Sequence, residues 1–415
     1  MNTCRGMASE TAIRIIAALV TVIAFVFINC GGSSGSNGSS AGPTSSGSSG
    51  SSGGSSPTTP ASLGNGGAGG NSAAVEFLFA ADPNTHAIEV WQIDPAAGGL
   101  TQVPGSPFPA VGGQLQGMAV HPSGAFLYTA NAPTTSDPGG ITAYSISSTG
   151  ALAAIGPEVA DEQQGGAALR ITVDSAGTHA YVAGSIAIGA AAYTIDPNNG
   201  TLTPLNPQPF DFQNHHGTED LAIVDQTVYL TSAVGIDSQT INSDGSLSNT
   251  SIGVARTTVL MDRLVVSGGK SLYASTVIVP PPGNPFAGPE SGHIYGWTVN
   301  SGGSLSPIAS TPVALSGVAG IAASANLLFA GSPAGVSVYA VDSNTGVLGQ
   351  ILGSPFSGGS QLGDLAVDHS GKFLYALNGN QIVGFAVGSG GALSPVSGSP
   401  FSTGGLQPSV LVSTP

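Results

Sequence analysis

From residue 75 to the C-terminus the chain alternates short apolar stretches with turns rich in glycine, asparagine and aspartate. The recurring unit is an apolar strand, a glycine turn and an aromatic strand. Six copies are visible: GMAVHPSGAFLYTAN (117–131), RITVDSAGTHAYVAG (170–184), DLAIVDQTVYLTSA (220–233), RLVVSGGKSLYAST (263–276), GIAASANLLFAGS (320–332) and DLAVDHSGKFLYALN (364–378). Alternating apolar residues separated by such turns predict β-hairpins.

A second pair of strands follows each copy, joined by an Asp/Asn/Gly turn, as in ITAYSISSTGALAAI (141–155) and AAYTIDPNNGTLTPL (191–205). Four short antiparallel strands that recur about every 40–55 residues are typical of β-propeller blades. Helical periodicity is absent outside the N-terminal segment. The pattern therefore predicts an all-β fold built from four-stranded antiparallel blades.

The two ends of the array predict a closed ring. The first copy starts with its second strand, at VEFLFAADP (75–83), and the missing first strand reappears as PSVLVSTP (408–415). The two ends then share one blade, which removes open sheet edges. We therefore predict a seven-bladed β-propeller over residues 73–415, with the first blade completed by the C-terminal strand.

Loop lengths indicate which face of the propeller binds a ligand. With strands named A to D from the centre outward, the A–B and C–D turns share one face and are short. The B–C and D–A connections share the other and include 132–140, 156–166, 206–219 and 277–290. Long loops on a rigid scaffold usually carry binding sites. The GSPF motifs at 105–108, 353–356 and 398–401, and the related PQPF at 207–210, are interpreted as structural turns between blades.

Residues 1–30 form a targeting segment. Arg5 and Arg14 precede an apolar run from 15 to 28, which is about the length of a signal-peptide core and shorter than the roughly 20 residues of a membrane helix. The run ends just before Cys30, and this arrangement resembles a bacterial lipoprotein signal, which implies lipidation of Cys30. An uncleaved anchor and an ordinary signal peptide remain alternatives.

Residues 31–72 are almost wholly small and polar and predict a flexible linker between the anchor and the propeller. Only 7% of all residues are charged, and the net charge is -15. Such an acidic chain disfavours binding to a phosphate backbone, so we expect no nucleic-acid partner. The predicted contact with a membrane is through the lipid anchor only, and we expect a monomer.

The repeat resembles a known family. The segments Ala119–Asn131 and Tyr193–Leu202, together with the GSPF motifs, are similar to the lactonase-type seven-bladed propellers, which include one class of 6-phosphogluconolactonase and a cycloisomerase acting on carboxymuconate. The same repeat is similar to the YVTN-type surface-layer propellers. The resemblance covers nearly all of 75–415 and implies the fold and a sugar lactone or related carboxylate as substrate.

The residues that the family uses in catalysis are largely replaced here. Its histidines before an early A strand fall on Ala167 and Leu169, and its Arg-His pair falls on Glu219 and Asp220. Its glutamate falls on Asp262, a shorter carboxylate that can act as a general base. Asp262 and the adjacent Arg263 are therefore the catalytic candidates.

The A strands themselves suggest a binding site at the channel mouth. The residues that open them are Gly117, Arg170, Asp220, Arg263, Gly320, Asp364 and Ser409. Arg170, Asp220, Arg263 and Asp364 are the predicted ligand-binding residues, because an arginine pair can hold a carboxylate or phosphate with paired hydrogen bonds. The alternative is that these residues form ion pairs, Arg170 with Asp220 and Arg263 with Asp364 or Asp262, and merely plug the channel. His215 and His216 are interpreted as a surface pair, so we expect no metal and no cofactor.

Three functions follow from these observations. The first is an exported binding or scaffold module with a degenerate catalytic site, facing the periplasm or cell surface, whose partner is a small acid, a sugar lactone or an envelope protein. The second is a lactone hydrolase of the 6-phosphogluconolactonase type. The third is a non-catalytic sensor of a small sugar or acid. The missing histidines and the anchor favour the first.

Overall fold

The computed structural model describes residues 75–160, 168–184, 190–205, 220–232, 235–257, 261–276, 292–315, 317–324 and 326–415. These residues form 32 β-strands arranged in seven antiparallel sheets. No helix among them is long and apolar enough to cross a membrane. The segments expected to form the signal (1–30) and the linker (31–72) lie outside the described residues.

Each blade runs from an inner strand at the channel to an outer strand, and the strands of the first four blades follow in that order. Blade 1 contains β32 (Val410–Ser413), β1 (Glu76–Asp82), β2 (Ala87–Ile93), β3 (Leu100–Gln102) and β4 (Phe108–Pro109). Blade 2 contains β5 (Gln114–Val120), β6 (Phe126–Ala132), β7 (Gly140–Ile146), β8 (Leu152–Ala154) and β9 (Val159–Ala160). Blade 3 contains β10 (Ala168–Val173), β11 (His179–Gly184), β12 (Ala190–Ile195) and β13 (Leu202–Pro204). Blade 4 contains β14 (Leu221–Val224), β15 (Thr227–Ser232), β16 (Gly235–Ile241) and β17 (Leu247–Arg256).

The remaining three blades follow the same order. Blade 5 contains β18 (Met261–Ser267), β19 (Ser271–Thr276), β20 (Gly292–Val299), β21 (Leu305–Pro307) and β22 (Val313–Leu315). Blade 6 contains β23 (Gly320–Ala323), β24 (Leu327–Ser332), β25 (Gly335–Val341) and β26 (Leu348–Gln350). Blade 7 contains β27 (Leu362–Val367), β28 (Phe373–Asn378), β29 (Gln381–Val387), β30 (Leu393–Pro395) and β31 (Phe401–Ser402).

The predicted seven-bladed propeller is confirmed, including the blade shared by the chain ends. Strand β32 pairs antiparallel with β1 and places Val412 opposite Phe79. Two further bonds hold the C-terminal segment: the Phe77 N–H donates to Thr414 Oγ1 at 2.9 Å, and the Gln407 N–H donates to Asp82 Oδ2 at 2.9 Å. The C-terminal strand therefore completes blade 1 as its innermost strand.

Four blades differ from the four-stranded prediction because a fifth strand pairs back onto strand C. This is β4 in blade 1, β9 in blade 2, β22 in blade 5 and β31 in blade 7. In the GSPF motifs the serine lies between the end of strand D and the start of the fifth strand. Ser106 Oγ accepts from the Val90 N–H at 2.9 Å, and Ser399 Oγ accepts from the Gly384 N–H at 2.9 Å. The serine therefore accepts a hydrogen bond from a strand-C N–H that lies beyond the end of strand D, and this role is structural.

The segment around Thr311 is a further copy of this turn, although its sequence does not match the GSPF motif. Thr311 Oγ1 accepts from the Gly296 N–H at 3.2 Å, as the GSPF serines do. The signal was weak because threonine replaces serine and valine replaces phenylalanine in ASTPV.

Neighbouring blades pack face to face through apolar side chains. Between blades 1 and 2, for example, Phe79 and Val90 join Leu127 and Tyr144 in one buried cluster. Clusters of this kind recur around the ring. The core is thus divided among the blade interfaces, and the innermost strands are left to surround the centre.

The two faces differ as expected, with one correction. The A–B and C–D turns are short throughout the described residues. On the other face the B–C connections of blades 2 and 5 span 133–139 and 277–291, whereas those of blades 6 and 7 are only the two residues 333–334 and 379–380, and the D–A connection between blades 4 and 5 is only 257–260. The strands A begin on this second face, so their first residues lie where the long connections meet.

Candidate functional site

The candidate site is the mouth of the channel enclosed by the seven inner strands β32, β5, β10, β14, β18, β23 and β27. Several of these strands begin with an irregularity in their pairing, for example between Ala168 and Arg170 and between Met261 and Leu264. Such bulges redirect side chains near functional sites. At Gly117 the blades come so close that a Cβ atom would lie 2.5 Å from Leu169 O.

Register identifies the residue that opens each inner strand and corrects one assignment. The aromatic residue of strand B pairs with the strand-A residue that lies two positions after the one that opens the strand. In blade 7, for example, Tyr375 pairs with Ala366, and Asp364 opens the strand. By the same count, Phe79 opposite Val412 makes Val410 the equivalent of Asp364. The prediction of Ser409 was wrong by one residue, because the Ser409 N–H instead extends the pairing by donating to Ala81 O.

Asp220 links the inner strands of blades 4 and 5. The residue is partly exposed, yet its carboxylate accepts from the Leu221 N–H at 2.9 Å and from the Leu264 N–H at 2.8 Å. Burial raises the pKa of Asp220 to about 7, the nearby Arg170 and the two N–H groups act to lower it, and Asp262 acts to raise it. Asp220 therefore exchanges a proton close to neutral pH.

Asp364 makes the same bridge between blades 7 and 1. Its Oδ2 accepts from the Leu411 N–H at 3.1 Å, and the Leu365 N–H also donates to the carboxylate. Burial raises the pKa of Asp364, while the charge of Arg170 acts to lower it. Two of the predicted ligand-binding acids thus hold the main chain of the next blade.

The charge of Arg170 acts on both acids, but its guanidinium donates its hydrogen bonds to main-chain oxygens. Its Nη1 donates to Leu169 O at 3.0 Å and to Gln116 O. Neither Asp220 nor Asp364 comes within 4.0 Å of the guanidinium as an ion pair in the described part of the chain. The structure thus brings together Arg170, Asp220 and Asp364, and no acid of the described residues forms an ion pair with Arg170.

The catalytic candidates Asp262 and Arg263 lie at the irregular start of β18, beside this group. The charge of Asp262 acts to raise the pKa of Asp220. The Arg263 N–H donates to Ser275 Oγ at 3.2 Å, and its buried Nε has no hydrogen-bond partner among the described residues.

The ion pairs proposed as channel plugs are not formed by Arg170 with Asp220 or by Arg263 with Asp364. The reason is that both acids instead accept hydrogen bonds from the main chain of the adjacent blade. Cys30, His215 and His216, and likewise Ala167 and Glu219 of the family comparison, lie outside the described residues.

A second acidic group near the same face escaped the sequence comparison. Glu158 Oε1 accepts from Asn131 Nδ2 at 2.7 Å and from the Gly113 N–H at 3.3 Å. Burial, followed by a hydrogen bond with Asp137, raises the pKa of Glu158 to about 7, although the Asn131 bond acts against it. The sequence offers one hint of this contact: Asn131, the last residue of FLYTAN, bonds to Glu158 in the D–A connection.

Comparison with known proteins relates the chain to others by fold. No protein-family model and no curated protein matches the sequence. Among solved structures, a "putative 6-phosphogluconolactonase" from Bacteroides uniformis superposes with a TM-score of 0.61 at 15% identity, covering 81% of this chain and 99% of that one. A protein of the same description from Bacteroides fragilis gives 0.61 at 16% identity over 84% and 100% of the two chains.

A third neighbour is described as periplasmic. The periplasmic gluconolactonase of Pseudomonas aeruginosa superposes with a TM-score of 0.57 at 16% identity, covering 79% of this chain and 98% of that one. Identities this low establish shared architecture and leave the chemistry to the site itself. The chain has the seven-bladed propeller architecture of these lactonase-like proteins.

Proposed function

We propose that this protein is an exported, lipid-anchored binding module that takes a small organic acid at the mouth of its propeller channel. The observation that carries the proposal is the state of Arg170: among the described residues its Nη1 donates only to main-chain carbonyls, while Asp220 and Asp364 accept from N–H groups. A guanidinium in this state offers charge and donors to a ligand carboxylate.

Arg263 adds a second cation to the same mouth. Its Nε is buried and lacks a hydrogen-bond partner in the described residues, which is costly unless a ligand or solvent supplies an acceptor. In a chain with only 7 basic residues, two of them open inner strands. The proposed occupant is therefore an acid, with a sugar acid as the natural first probe given the lactonase-like neighbours.

The proposed attachment keeps the propeller at the envelope. Cys30 follows the apolar run of the signal and is the proposed lipidated residue, and residues 31–72 are the proposed tether. Metabolic labelling with a palmitate analogue tests this part: the wild-type chain is expected to incorporate label and Cys30→Ser to lose it. Equal labelling of both would contradict the anchor.

Calorimetric titration of the full chain in detergent tests the binding function. We expect saturable binding of D-gluconate, none of the uncharged D-glucitol, and an affinity loss of about tenfold or more in Arg170→Gln, because a charge-assisted bond is lost. Lys270→Gln is the matched control, since Lys270 is an exposed cation in an A–B turn on the opposite face. Absence of gluconate binding, or equal loss in both variants, would contradict the proposal and leave an envelope protein as the partner to seek.

Lactone hydrolysis is a second candidate, favoured by Asp220. Burial raises its pKa to about 7, which suits a group that accepts and returns a proton near neutral pH. Titration of the acid released from D-gluconolactone measures turnover. Turnover that is lost in Asp262→Ala and Arg263→Ala would establish the enzyme, and a rate equal to the spontaneous one would exclude it for this substrate.

A further inference from the structure

The inner edges of the seven blades present main-chain N–H groups to the channel. The Leu264 N–H lies on the side of β18 away from its partner strand, where it donates to Asp220 rather than to strand B. The residues at this register position in the other blades are Met118, Ile171, Leu221, Ile321, Leu365 and Leu411. Each blade thus contributes one equivalent inward donor.

Two carboxylates of the protein occupy four of these donors in adjacent pairs. Asp220 joins the N–H groups of Leu221 and Leu264, and Asp364 joins those of Leu365 and Leu411. In each pair a single carboxylate bridges two neighbouring blades. The fold therefore uses one repeated arrangement, two N–H groups and one carboxylate, at two of its junctions.

Three donors remain, and only two of them are neighbours. The N–H groups of Met118, Ile171 and Ile321 alternate with those that bond to strand B and so face away from it, and no side chain of the described residues accepts from them. Ile321 stands alone, because the donors of the blades on both sides of it are occupied. Met118 and Ile171 belong to adjacent blades 2 and 3, as the occupied pairs do.

The cation of the channel lies at this same junction. Arg170 precedes Ile171, and its guanidinium donates to Gln116 O, two residues before Met118. The position that carries aspartate in blades 4 and 7 is Gly117 here, so blade 2 supplies no carboxylate of its own. An unpaired backbone N–H is costly to leave without an acceptor, and two of them beside a guanidinium favour an anion.

We infer that the N–H groups of Met118 and Ile171, together with Arg170, form a subsite for the carboxylate of the bound acid. The subsite takes the place that Asp220 and Asp364 fill at their junctions. This inference rests on the proposed function and deepens it, because it assigns the acid group to the junction of blades 2 and 3 and directs the rest of the molecule into the channel.

Selective labelling makes the subsite directly observable. The chain has 4 methionines, of which Met118 and Met261 lie in the described residues, so a [15N]methionine-labelled sample gives few amide signals. Met118→Leu assigns the subsite signal. Titration of the full chain with sodium acetate or sodium D-gluconate is expected to move the Met118 amide proton downfield in a saturable way, whereas sodium chloride leaves it in place.

Met261 discriminates between sites, because it lies beside Asp262 and Arg263 in blade 5. A shift of Met261 without a shift of Met118 would overturn the subsite and place the acid at Arg263. Saturable gluconate binding with neither signal moving would likewise overturn the subsite alone. Absence of any saturable binding of either acid would overturn the proposed function and the subsite together.

A backbone substitution gives a second measurement. Proline lacks the N–H and is tolerated where that group faces away from the sheet. Met118→Pro is expected to weaken gluconate binding about tenfold or more, since a charge-assisted hydrogen bond is removed. Ile321→Pro is the matched control, because it removes the equivalent isolated donor in blade 6. Equal affinity of the two variants would overturn the inference.

Discussion

The phenol hydroxyl of Tyr375 donates a 2.9 Å hydrogen bond to the carbonyl oxygen of Gly98, 277 residues earlier in the chain. Tyr375 is in strand B of blade 7, and Gly98 is in the C–D turn of blade 1. The same contact joins other neighbouring blades: Tyr128 with Gly200, Tyr181 with Gly245, Tyr229 with Gly303 and Tyr273 with Gly346. The contact at Tyr375 closes the ring, because it joins the last blade to the first.

Removing the Tyr375 hydroxyl should weaken this closure. We expect Tyr375→Phe to lower the free energy of unfolding by about 1–2 kcal/mol, because the buried Gly98 oxygen loses its donor. Urea denaturation followed by fluorescence measures the change. Tyr295→Phe is the control, since Tyr295 is partly exposed and stacks on Trp297. An unchanged midpoint for Tyr375→Phe would show that the hydroxyl contributes nothing to closure.

Gly98 itself is required by backbone conformation and by its neighbour. It adopts a φ of 71°, and a Cβ atom would lie 2.3 Å from the Phe373 ring. Gly98→Ala is therefore expected to cost about 2–4 kcal/mol, from left-handed strain and overpacking together. Gly99→Ala is the matched control, because a Cβ there meets nothing within 4 Å. Similar thermal transitions for the two variants would contradict this account.

The sequence was sufficient to predict the ring but not the bonds at its centre. The repeated aromatic strand and glycine turn gave seven blades and the shared first blade, because tight turns and alternation leave a local pattern. The shift from Ser409 to Val410 is set by the pairing of Val412 with Phe79, a register that the short apolar segment 408–415 does not reveal by itself. That Asp220 holds Leu264 depends on the direction of an N–H in the next blade, which only three-dimensional register reveals.

Deleting residues 408–415 should open blade 1. The deletion removes β32, whose Val410 and Leu411 are 4% and 3% exposed, and the bond from Phe77 to Thr414. Burial of two such side chains contributes about 3–6 kcal/mol, so we expect a large fall in the thermal midpoint. Deletion of the exposed Pro415 alone is the control. A truncated chain with an unchanged thermal transition would refute closure by the C-terminal strand.

Glu158 should make stability depend on pH. Burial raises its folded pKa to about 7, above the usual value of 4.5, so between these values the folded chain holds a proton that the unfolded chain has released. The contribution of this group to the free energy of unfolding therefore falls as pH rises through that window. Glu158→Gln imitates the protonated form and keeps an acceptor for Asn131.

We accordingly expect the stability difference between Glu158→Gln and the wild type to grow in favour of the variant from about pH 5 to about pH 8. Urea denaturation at both pH values measures it. The comparison cancels other titrating carboxyls such as Glu89, whose pKa burial also raises to about 7. A difference that stays constant with pH would show that Glu158 ionises normally in the folded chain.

Asp220 offers a chemical-rescue experiment for the carboxylate arrangement of the inner strands. Asp220→Gly leaves the N–H groups of Leu221 and Leu264 without their acceptor, and it should destabilise the chain by about 1–3 kcal/mol. Formate or acetate can occupy the vacated place, and a ligand that binds only the folded chain stabilises it in proportion to its concentration. We expect either anion to raise the thermal midpoint of the variant more than that of the wild type.

Two controls accompany this experiment. Chloride at equal ionic strength should not raise the midpoint of the glycine variant in this way, and neither anion should do so for Asp220→Asn, whose side chain fills the same space. Equal effects of acetate and chloride on the glycine variant would mean that the inner-strand N–H pairs do not select carboxylates.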